Sequence, residues 1–337
     1  MAGLTALAGA PPHVAARRLP RLSLRGLAAA AAWLLLAGAT YVLPDDGDFP
    51  YTAAFAAGAL GLGLALPPAS SLSSHLAGHL GRAGAALAHW TPWLTLAALA
   101  LLAWELVTAK FALLPMPFFP PPQAILEVFW EDWPKLGGSI LASLKLLAGG
   151  YLIGAGLGFG LGVAIGWSKA VGYWAHPVLR FVGPLPATAW LPLAFFVFPS
   201  SWSASTFLIA LATGFPVTVL TWSGVAGFNK AYFDVARTLG ASPGFLILRV
   251  AIPAALPHVF VGLFMGLGGS FAVLVVAEML GVKSGLGWYL QWAQGWAAYA
   301  NMYAALIVMA LMCSGLITLL FRLRDRVLSW QKGLVQW

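Results

Sequence analysis

Three ionisable side chains lie inside long apolar stretches of the sequence, namely Glu105, Lys145 and Glu278. A charge at the centre of a bilayer costs at least about 2.5 kcal/mol on insertion scales, so such residues indicate charge pairing or a path for a solute. Lys145 and Glu278 lie near the ends of their stretches, where a side chain can also reach the interface. Glu105 is about one helical turn from Lys110, which favours pairing. We therefore treat Lys145 and Glu278 as candidates for lining a translocation path.

Prolines are concentrated in one apolar stretch, "GPLPATAWLPLAFFVFP", which contains Pro184, Pro186 and Pro192. Each proline removes an amide donor that hydrocarbon cannot replace. Interrupted backbone is tolerated at membrane depth where it is buried in protein or lines a water-filled cavity. The stretch therefore predicts either a segment of a translocation path or a structural kink.

Residues for catalysis or metal binding are not grouped anywhere in the sequence. Cys313 is the only cysteine and lies in an apolar run, where a lone cysteine is usually a small apolar side chain. His75 and His79 are four residues apart but have no cysteine or carboxylate nearby, which favours a solvated linker over a metal site. We expect no catalytic residue, no metal site and no bound cofactor in this chain.

Composition places the chain in a membrane. It is 61% hydrophobic and only 8% charged, whereas soluble domains carry about a quarter charged residues. Apolar runs of at least about 18 residues recur along the chain, as in transmembrane helices. The predicted fold is an all-α polytopic membrane protein with about eight spans, near residues 26–43, 50–67, 91–109, 138–167, 177–199, 204–226, 256–280 and 301–321.

The distribution of charge predicts the orientation. The first span is preceded by Arg17, Arg18, Arg21 and Arg25 and followed by Asp45, Asp46 and Asp48. The positive-inside rule then places both termini in the cytoplasm. The net charge of +8 is explained by this topology, so no nucleic-acid partner is required. The arginine-rich start, followed by Ala37 and Ala39, is also compatible with a cleaved signal peptide.

Glycines form a regular stripe in the fourth predicted span. A glycine inside a helix costs about 1 kcal/mol relative to alanine, so a stripe of them needs a compensating contact. Small residues four apart allow the backbones of two membrane helices to approach closely. We predict tight helix packing, within or between subunits, through Gly150, Gly154, Gly158, Gly162 and Gly166.

A partly polar segment, residues 228–255, separates two apolar blocks. The sequence "FDVARTLGASPGFLILRVAIP" predicts two short helices, with Gly240 as a left-handed stop for the first. Ser242 is the predicted cap of the second helix, and Pro253 its predicted end.

Three residues of the first short helix suit a contact with another protein. Ala236 is small, so a partner surface can come close, and Asp234 and Arg237 can pair across the contact. An ordinary amphipathic loop helix is the alternative.

The spacing in this segment resembles a known signature. Asp234-Val235-Ala236, three residues, Gly240, nine residues and Val250-Ala251-Ile252-Pro253 are similar to the EAA motif of permease subunits of bacterial ATP-binding-cassette importers. Asp234 replaces the usual Glu, Val235 an Ala, and Val250 and Ile252 an Ile and a Leu. Flanking segments such as "VAEMLGVKSGLGWYLQWA" resemble permeases of the nitrate, sulfonate, taurine and bicarbonate group. The resemblance covers about residues 95–330.

The resemblance implies a division of the chain. Residues 91–325 would form a type I importer permease core, with 228–255 as its cytoplasmic coupling loop. Residues 1–90 would be an extension with two extra spans and a cytoplasmic linker, and 326–337 a cytoplasmic tail. The residues expected to serve in coupling to the ATPase are Asp234, Ala236, Arg237, Gly240, Ser242 and Pro253.

The resemblance also implies function and partners. The chain would move a small anionic solute across the bacterial inner membrane by alternating access, with lipid around it. The expected partners are a second permease subunit in a homodimer, two ATPase subunits that bind ATP and Mg²⁺, and a periplasmic solute-binding protein. The sequence contains no GxxxxGK[ST] phosphate loop, so the chain is not expected to hydrolyse ATP.

Two other functions compete with this interpretation. A secondary transporter of a small organic anion would predict inverted repeats with paired broken helices, and the two halves show no such similarity. An intramembrane enzyme would need a catalytic constellation at membrane depth, whereas His176 and His258 lie at predicted span ends.

Overall fold

The computed structural model describes residues 24–72, 79–227 and 230–331 of the 337-residue chain. Within these ranges the chain is helical and has no β-strand, which confirms the predicted all-α class. Several residues used above for orientation and for the histidine linker lie outside the described residues: Arg17, Arg18, Arg21 and His75.

The first four helices are α1 (Leu24–Val42), α2 (Thr52–Leu72), α3 (His79–Glu105) and α4 (Pro122–Glu131), and α3 continues as a π-helical turn, Leu106–Lys110. The next four are α5 (Trp133–Trp167), α6 (Lys169–Val182), α7 (Leu191–Val197) and α8 (Ser201–Ala226), with a 3₁₀ turn, Ala187–Trp190, before α7. The last five are α9 (Lys230–Thr238), α10 (Pro243–Phe245), α11 (Ile252–Leu280), α12 (Leu286–Gly295) and α13 (Tyr299–Val327). A π-helical turn, Leu246–Ala251, joins α10 to α11, and a 3₁₀ turn, Ser329–Gln331, follows α13.

Each of the eight predicted spans corresponds to an apolar helical region. Six described regions are long and apolar enough to cross a membrane, namely Leu24–Val42, His89–Lys110, Trp133–Trp167, Ser201–Ala226, Pro243–Leu280 and Tyr299–Val327. The predicted second span corresponds to a shorter apolar helix, Thr52–Leu66.

The predicted fifth span, 177–199, is not one straight helix. Lys169–Val182 and Ala187–Val197 meet at an angle of 87°. Pro184 and Pro186 lie in the break, and neither can donate an amide hydrogen to a preceding turn.

Contacts divide the chain into two compact units, Met1–Leu126 and Glu127–Trp337. The third span therefore groups with the two N-terminal helices by contacts, whereas the sequence-based division assigned it to the permease core. In the first unit, α1 packs against α2 and α3 through small and aromatic residues that include Ala29, Trp33, Ala59 and Ala98.

Lys110 connects the end of the third span to the end of α1. Its ammonium lies 2.7 Å from Asp45 Oδ1 and donates to the carbonyl oxygens of Thr40 (2.7 Å) and Leu43 (2.8 Å). A cation there also offsets the partial negative charge at the C-terminus of α1. Glu105 lies 3.8 Å from the same ammonium, so the charge pairing expected for Glu105 and Lys110 is present.

In the second unit, α5 packs closely along α8 through the glycine stripe. A β-carbon on Gly158 would lie 2.6 Å from the carbonyl oxygen of Gly214, and one on Gly162 would lie 2.7 Å from that of Thr218. Gly150, Gly154 and Gly166 meet α8 in the same way. The contact is within one chain.

Helix α8 also packs against α11, again with close backbone approach at Gly262 and Gly266, and Thr213 and Val217 of α8 lie beside both α5 and α11. The core of this unit includes Leu146, Leu208, Ile209, Leu274 and Ala277, all at most 1% exposed. The three long helices α5, α8 and α11 thus form a packed layer, which supports the shorter helices around it.

Candidate coupling segment and solute path

The first short helix of the polar segment ends in a sharp reversal at Gly240. Its φ is +80°, in the left-handed region that favours glycine. Ala241 N donates to Ala236 O (3.0 Å) and Gly240 N to Arg237 O (2.9 Å). This pair of hydrogen bonds is the Schellman motif, which satisfies the last carbonyls of α9 and turns the chain. The left-handed stop predicted at Gly240 is therefore present.

The second short helix begins as predicted but does not end at Pro253. Ser242 is its N-cap and accepts from Phe245 N at 3.4 Å, with Pro243 in the first turn. The helix then continues through the π-helical turn into α11, so Pro243–Leu280 is one helical span and the expectation that Pro253 stops it is wrong. A π turn widens the backbone where the ring of Pro253 would otherwise meet the carbonyl four residues earlier.

The inner side of this segment packs against other helices of the second unit. Leu246 is 2% exposed, and Ala251 is fully buried against Val225 and Ala255. Phe233 packs on the same cluster, and its ring centroid lies 5.9 Å from that of Trp167.

The outer side presents apolar and charged side chains together. Val235, Leu239, Phe245 and Leu248 are all more than half exposed. Asp234 and Arg237 are exposed too, and neither has an ion-pair partner in the described ranges, whereas Ala236 is half-buried. The four exposed apolar residues were not singled out from the sequence, although apolar residues in an otherwise polar segment were the available signal. An exposed apolar patch with a charged rim is typical of a protein interface.

The break in the fifth span borders a cavity of about 310 Å³. Gly183, Leu185, Pro186 and Thr188 line it from the break, and Phe215, Pro216, Gly269 and Val273 line it from α8 and α11. Pro216 lies inside α8 and cannot donate to the carbonyl of Ala212, which is also part of the wall. The cavity is therefore lined mainly by apolar residues and also by Ala212, whose carbonyl oxygen lacks its usual helical donor.

Glu278 is buried and holds the start of α12. Its carboxylate accepts from Ser143 Oγ (2.7 Å) and from Gly287 N (2.8 Å), while Ser143 Oγ accepts from Leu286 N (2.8 Å). A carboxylate is favourable at a helix N-terminus because amide hydrogens and the helix dipole face it. Gly285, with φ of +102°, passes so close to this carboxylate that a β-carbon would collide with it.

The candidate path residues are not gathered in one site. Pro186 lines the cavity at the break, but Pro184, Pro192, Lys145 and Glu278 are not among its lining residues. Lys145 is exposed on the surface of α5. Their proposed roles along the path stay predictions.

Comparison with known proteins places this architecture in a family. Residues 156–331, just over half of the chain, match the family described as "Binding-protein-dependent transport system inner membrane component". The matched region begins within α5 and includes the break, the coupling segment and α11–α13.

Named relatives agree with this match. A probable ABC transporter permease protein of Brucella abortus is 30% identical over 231 residues, which are 68% of this chain and 91% of the relative. A nitrate import permease protein of Synechococcus elongatus is 30% identical over 63% of this chain and 75% of its own length. A putative aliphatic sulfonates transport permease protein of Bacillus subtilis is 30% identical over 72% and 89%.

These relatives are transport permeases, which sets aside the reading as an intramembrane enzyme. The chain belongs to the binding-protein-dependent inner membrane components, the permeases of ATP-binding-cassette importers.

Proposed function

We propose that this chain imports a small anionic solute of the sulfonate (including taurine), nitrate or bicarbonate class across the bacterial inner membrane. Transport proceeds by alternating access and is driven by a separate ATPase subunit that docks on Phe233–Pro253. The observation that carries the coupling proposal is the Schellman reversal at Gly240, which presents α9 and α10 as one exposed apolar and charged surface. The solute class is supported by the names of the nitrate and aliphatic sulfonate relatives.

The assembly proposed is a homodimer of this chain with two ATPase subunits and a periplasmic solute-binding protein. ATP and Mg²⁺ are bound by the ATPase subunits, since this chain has no phosphate loop in its sequence. Both termini are cytoplasmic, on the same side as the coupling segment, as the charge distribution predicts.

The continuous helix Pro243–Leu280 offers a mechanical link between the docking surface and the solute path. Its first turns carry Phe245 and Leu248 on the exposed side and Leu246 on the buried side. Its membrane part packs along α8 and contributes Gly269 and Val273 to the cavity at the broken span. Movement of the docked end would therefore change the packing around the cavity, which is what a switch of access requires.

The test is uptake into proteoliposomes that contain the permease–ATPase complex, with the solute-binding protein in the external medium. Radiolabelled taurine, nitrate and bicarbonate are added outside. ATP is enclosed in the vesicles, and the cytoplasmic face of the complex faces the vesicle interior. Uptake of at least one anion is expected only with hydrolysable ATP. Uptake by the permease alone, driven by an ion gradient, would support the secondary transporter of a small organic anion instead.

A further inference from the structure

A second cavity, of about 370 Å³, lies between the start of α5, the α11–α12 loop and α12. It is separate from the cavity at the broken span, and no residue lines both. We call it the lysine–tryptophan cavity; its main lining side chains are Lys135, Ser139, Lys283, Ser284, Trp288 and Trp292.

Three hydrogen-bond donors in this cavity have no partner within the described part of the chain. The Lys283 ammonium is exposed and forms no ion pair there. Ser139 is only 8% exposed, yet its hydroxyl forms no hydrogen bond with any described residue. Ser284 is half-buried, and its hydroxyl has no hydrogen-bond partner among the described residues either. The three groups line the same cavity, where they are available to an acceptor that comes from outside the chain.

Lys135 adds a second ammonium, and the nearby acid is already satisfied. Lys135 Nζ lies 3.0 Å from Asp132 Oδ1 and 5.6 Å from the centroid of the Trp292 ring. Asp132 Oδ2 accepts from Asn301 Nδ2 (2.8 Å) and Tyr289 Oη (3.2 Å). Burial raises the pKa of Tyr289 to about 12, so its hydroxyl keeps the proton that it donates. The carboxylate of Asp132 thus already accepts from Lys135, Tyr289 and Asn301. The positive charge that is left for an incoming anion, without an acidic partner in the described ranges, is that of Lys283.

The other wall of the cavity is aromatic. Trp288 is 38% exposed, and the Trp292 ring also faces the cavity. A bare inorganic oxyanion would leave this surface in contact with water, whereas an alkyl or aryl group would cover it. The volume lies within the range of small-molecule sites.

We infer that the lysine–tryptophan cavity binds a small organic anion, a sulfonate or carboxylate that carries an apolar group. The anionic oxygens accept from Lys283, Ser139 and Ser284, and the apolar group packs on Trp288 and Trp292. On the orientation proposed above, the cavity opens to the outside, and it would hold the solute before the solute enters the broken-span cavity. This placement rests on the proposed function, whereas the binding itself does not.

The test uses the full-length chain in complex with its ATPase subunit, in nanodiscs and without the solute-binding protein. Binding of sodium benzenesulfonate is measured by isothermal titration calorimetry at constant ionic strength. Lys283→Gln and Ser139→Ala are each expected to weaken binding about tenfold, because each removes one donor to a charged acceptor. Lys283→Arg should retain binding. Lys169→Gln removes a lysine at the start of α6, just beyond the far end of α5; it is the matched control and should bind like the parent chain.

Selectivity gives a second readout. Trp288→Ala should weaken binding of benzenesulfonate but not that of methanesulfonate, and nitrate should bind more weakly than either. The inference is overturned if the parent complex binds no sulfonate, or if Lys283→Gln, Ser139→Ala and Trp288→Ala all bind benzenesulfonate like the parent. Loss of ATP-driven uptake with binding intact would instead count against the proposed function alone.

Discussion

At the scale of single residues, Gly240 is the most direct probe of the coupling segment. A β-carbon there would meet no atom within 4 Å, so any effect of a substitution comes from the backbone, whose φ is +80°. Left-handed geometry costs an L-residue about 1–2 kcal/mol, and more for a β-branched side chain. Gly240→Val should therefore reduce co-purification of the ATPase subunit and uptake, while membrane insertion is retained.

Gly244→Ala is the matched control for this variant. Gly244 also has open space around its α-carbon but lies within α10 and has no positive φ. The Gly244→Ala permease should bind the ATPase subunit normally. If Gly240→Val also bound the ATPase and supported uptake normally, the chain reversal at Gly240 would not be needed for coupling.

Glu278 gives a second prediction at this scale. Replacing it with Leu leaves Gly287 N and Ser143 Oγ buried without an acceptor, at a cost of about 1–3 kcal/mol for each group. Glu278→Leu should therefore lower the denaturation temperature of the detergent-solubilised protein clearly more than Glu278→Gln, which keeps one acceptor oxygen. Equal thermal stability of the two variants would show that the carboxylate has another role.

The role of a single residue could be predicted from the sequence where its interactions lie within a few residues along the chain. The positive φ at Gly240 and the cap at Ser242 follow from interactions within a few residues, so the sequence was sufficient. The role of Glu278 requires Ser143, which lies 135 residues earlier, and the α5–α11–α12 packing that joins them. Pro253 was misread because a π-helical turn, which has no clear sequence signal, lets the helix continue.

At the scale of helices, the α5–α8 contact depends on the glycine stripe. Gly158→Leu would force side-chain atoms into the backbone of Gly214, and overpacking typically costs about 1–3 kcal/mol or more. The yield of folded, assembled permease should fall, measured by size-exclusion chromatography after solubilisation. Gly160→Leu is the matched control, since Gly160 is exposed and a β-carbon there meets nothing within 4 Å. Equal yields of the two variants would contradict the importance of this contact.

Helix positions were largely predictable because apolar length is a strong signal in membrane proteins. The glycine stripe indicated close packing, but not that α8 of the same chain is the neighbour. The bend of 87° was only partly foreseen, because prolines indicate a break and not its angle. The lysine–tryptophan cavity was not foreseen, since its residues come from α5 and α12, far apart in the chain.

At the scale of the whole molecule, the orientation is open to a labelling test. Cys313 is the only cysteine, so Cys313→Ser provides a background without reactive thiols. Trp296 and Leu239 are 74% and 82% exposed, and each is replaced by Cys. A membrane-impermeant maleimide applied to intact cells should label Trp296→Cys and spare Leu239→Cys until the membrane is opened. The reverse pattern would contradict an outside location for α12 and an inside location for α9.

We propose that Phe233–Pro253 contacts a separate ATPase subunit and transmits the closure of the ATPase to the spans. The most direct measurement is site-specific cross-linking from Leu239→Cys in the assembled complex, with Trp296→Cys as the control, both in the Cys313→Ser background. We predict a cross-link from residue 239 to the ATPase subunit, with a yield that changes between the nucleotide-free and vanadate-trapped states, and none from residue 296. A complex that performs ATP-driven uptake but gives no ATPase adduct from residue 239 would contradict coupling through Phe233–Pro253.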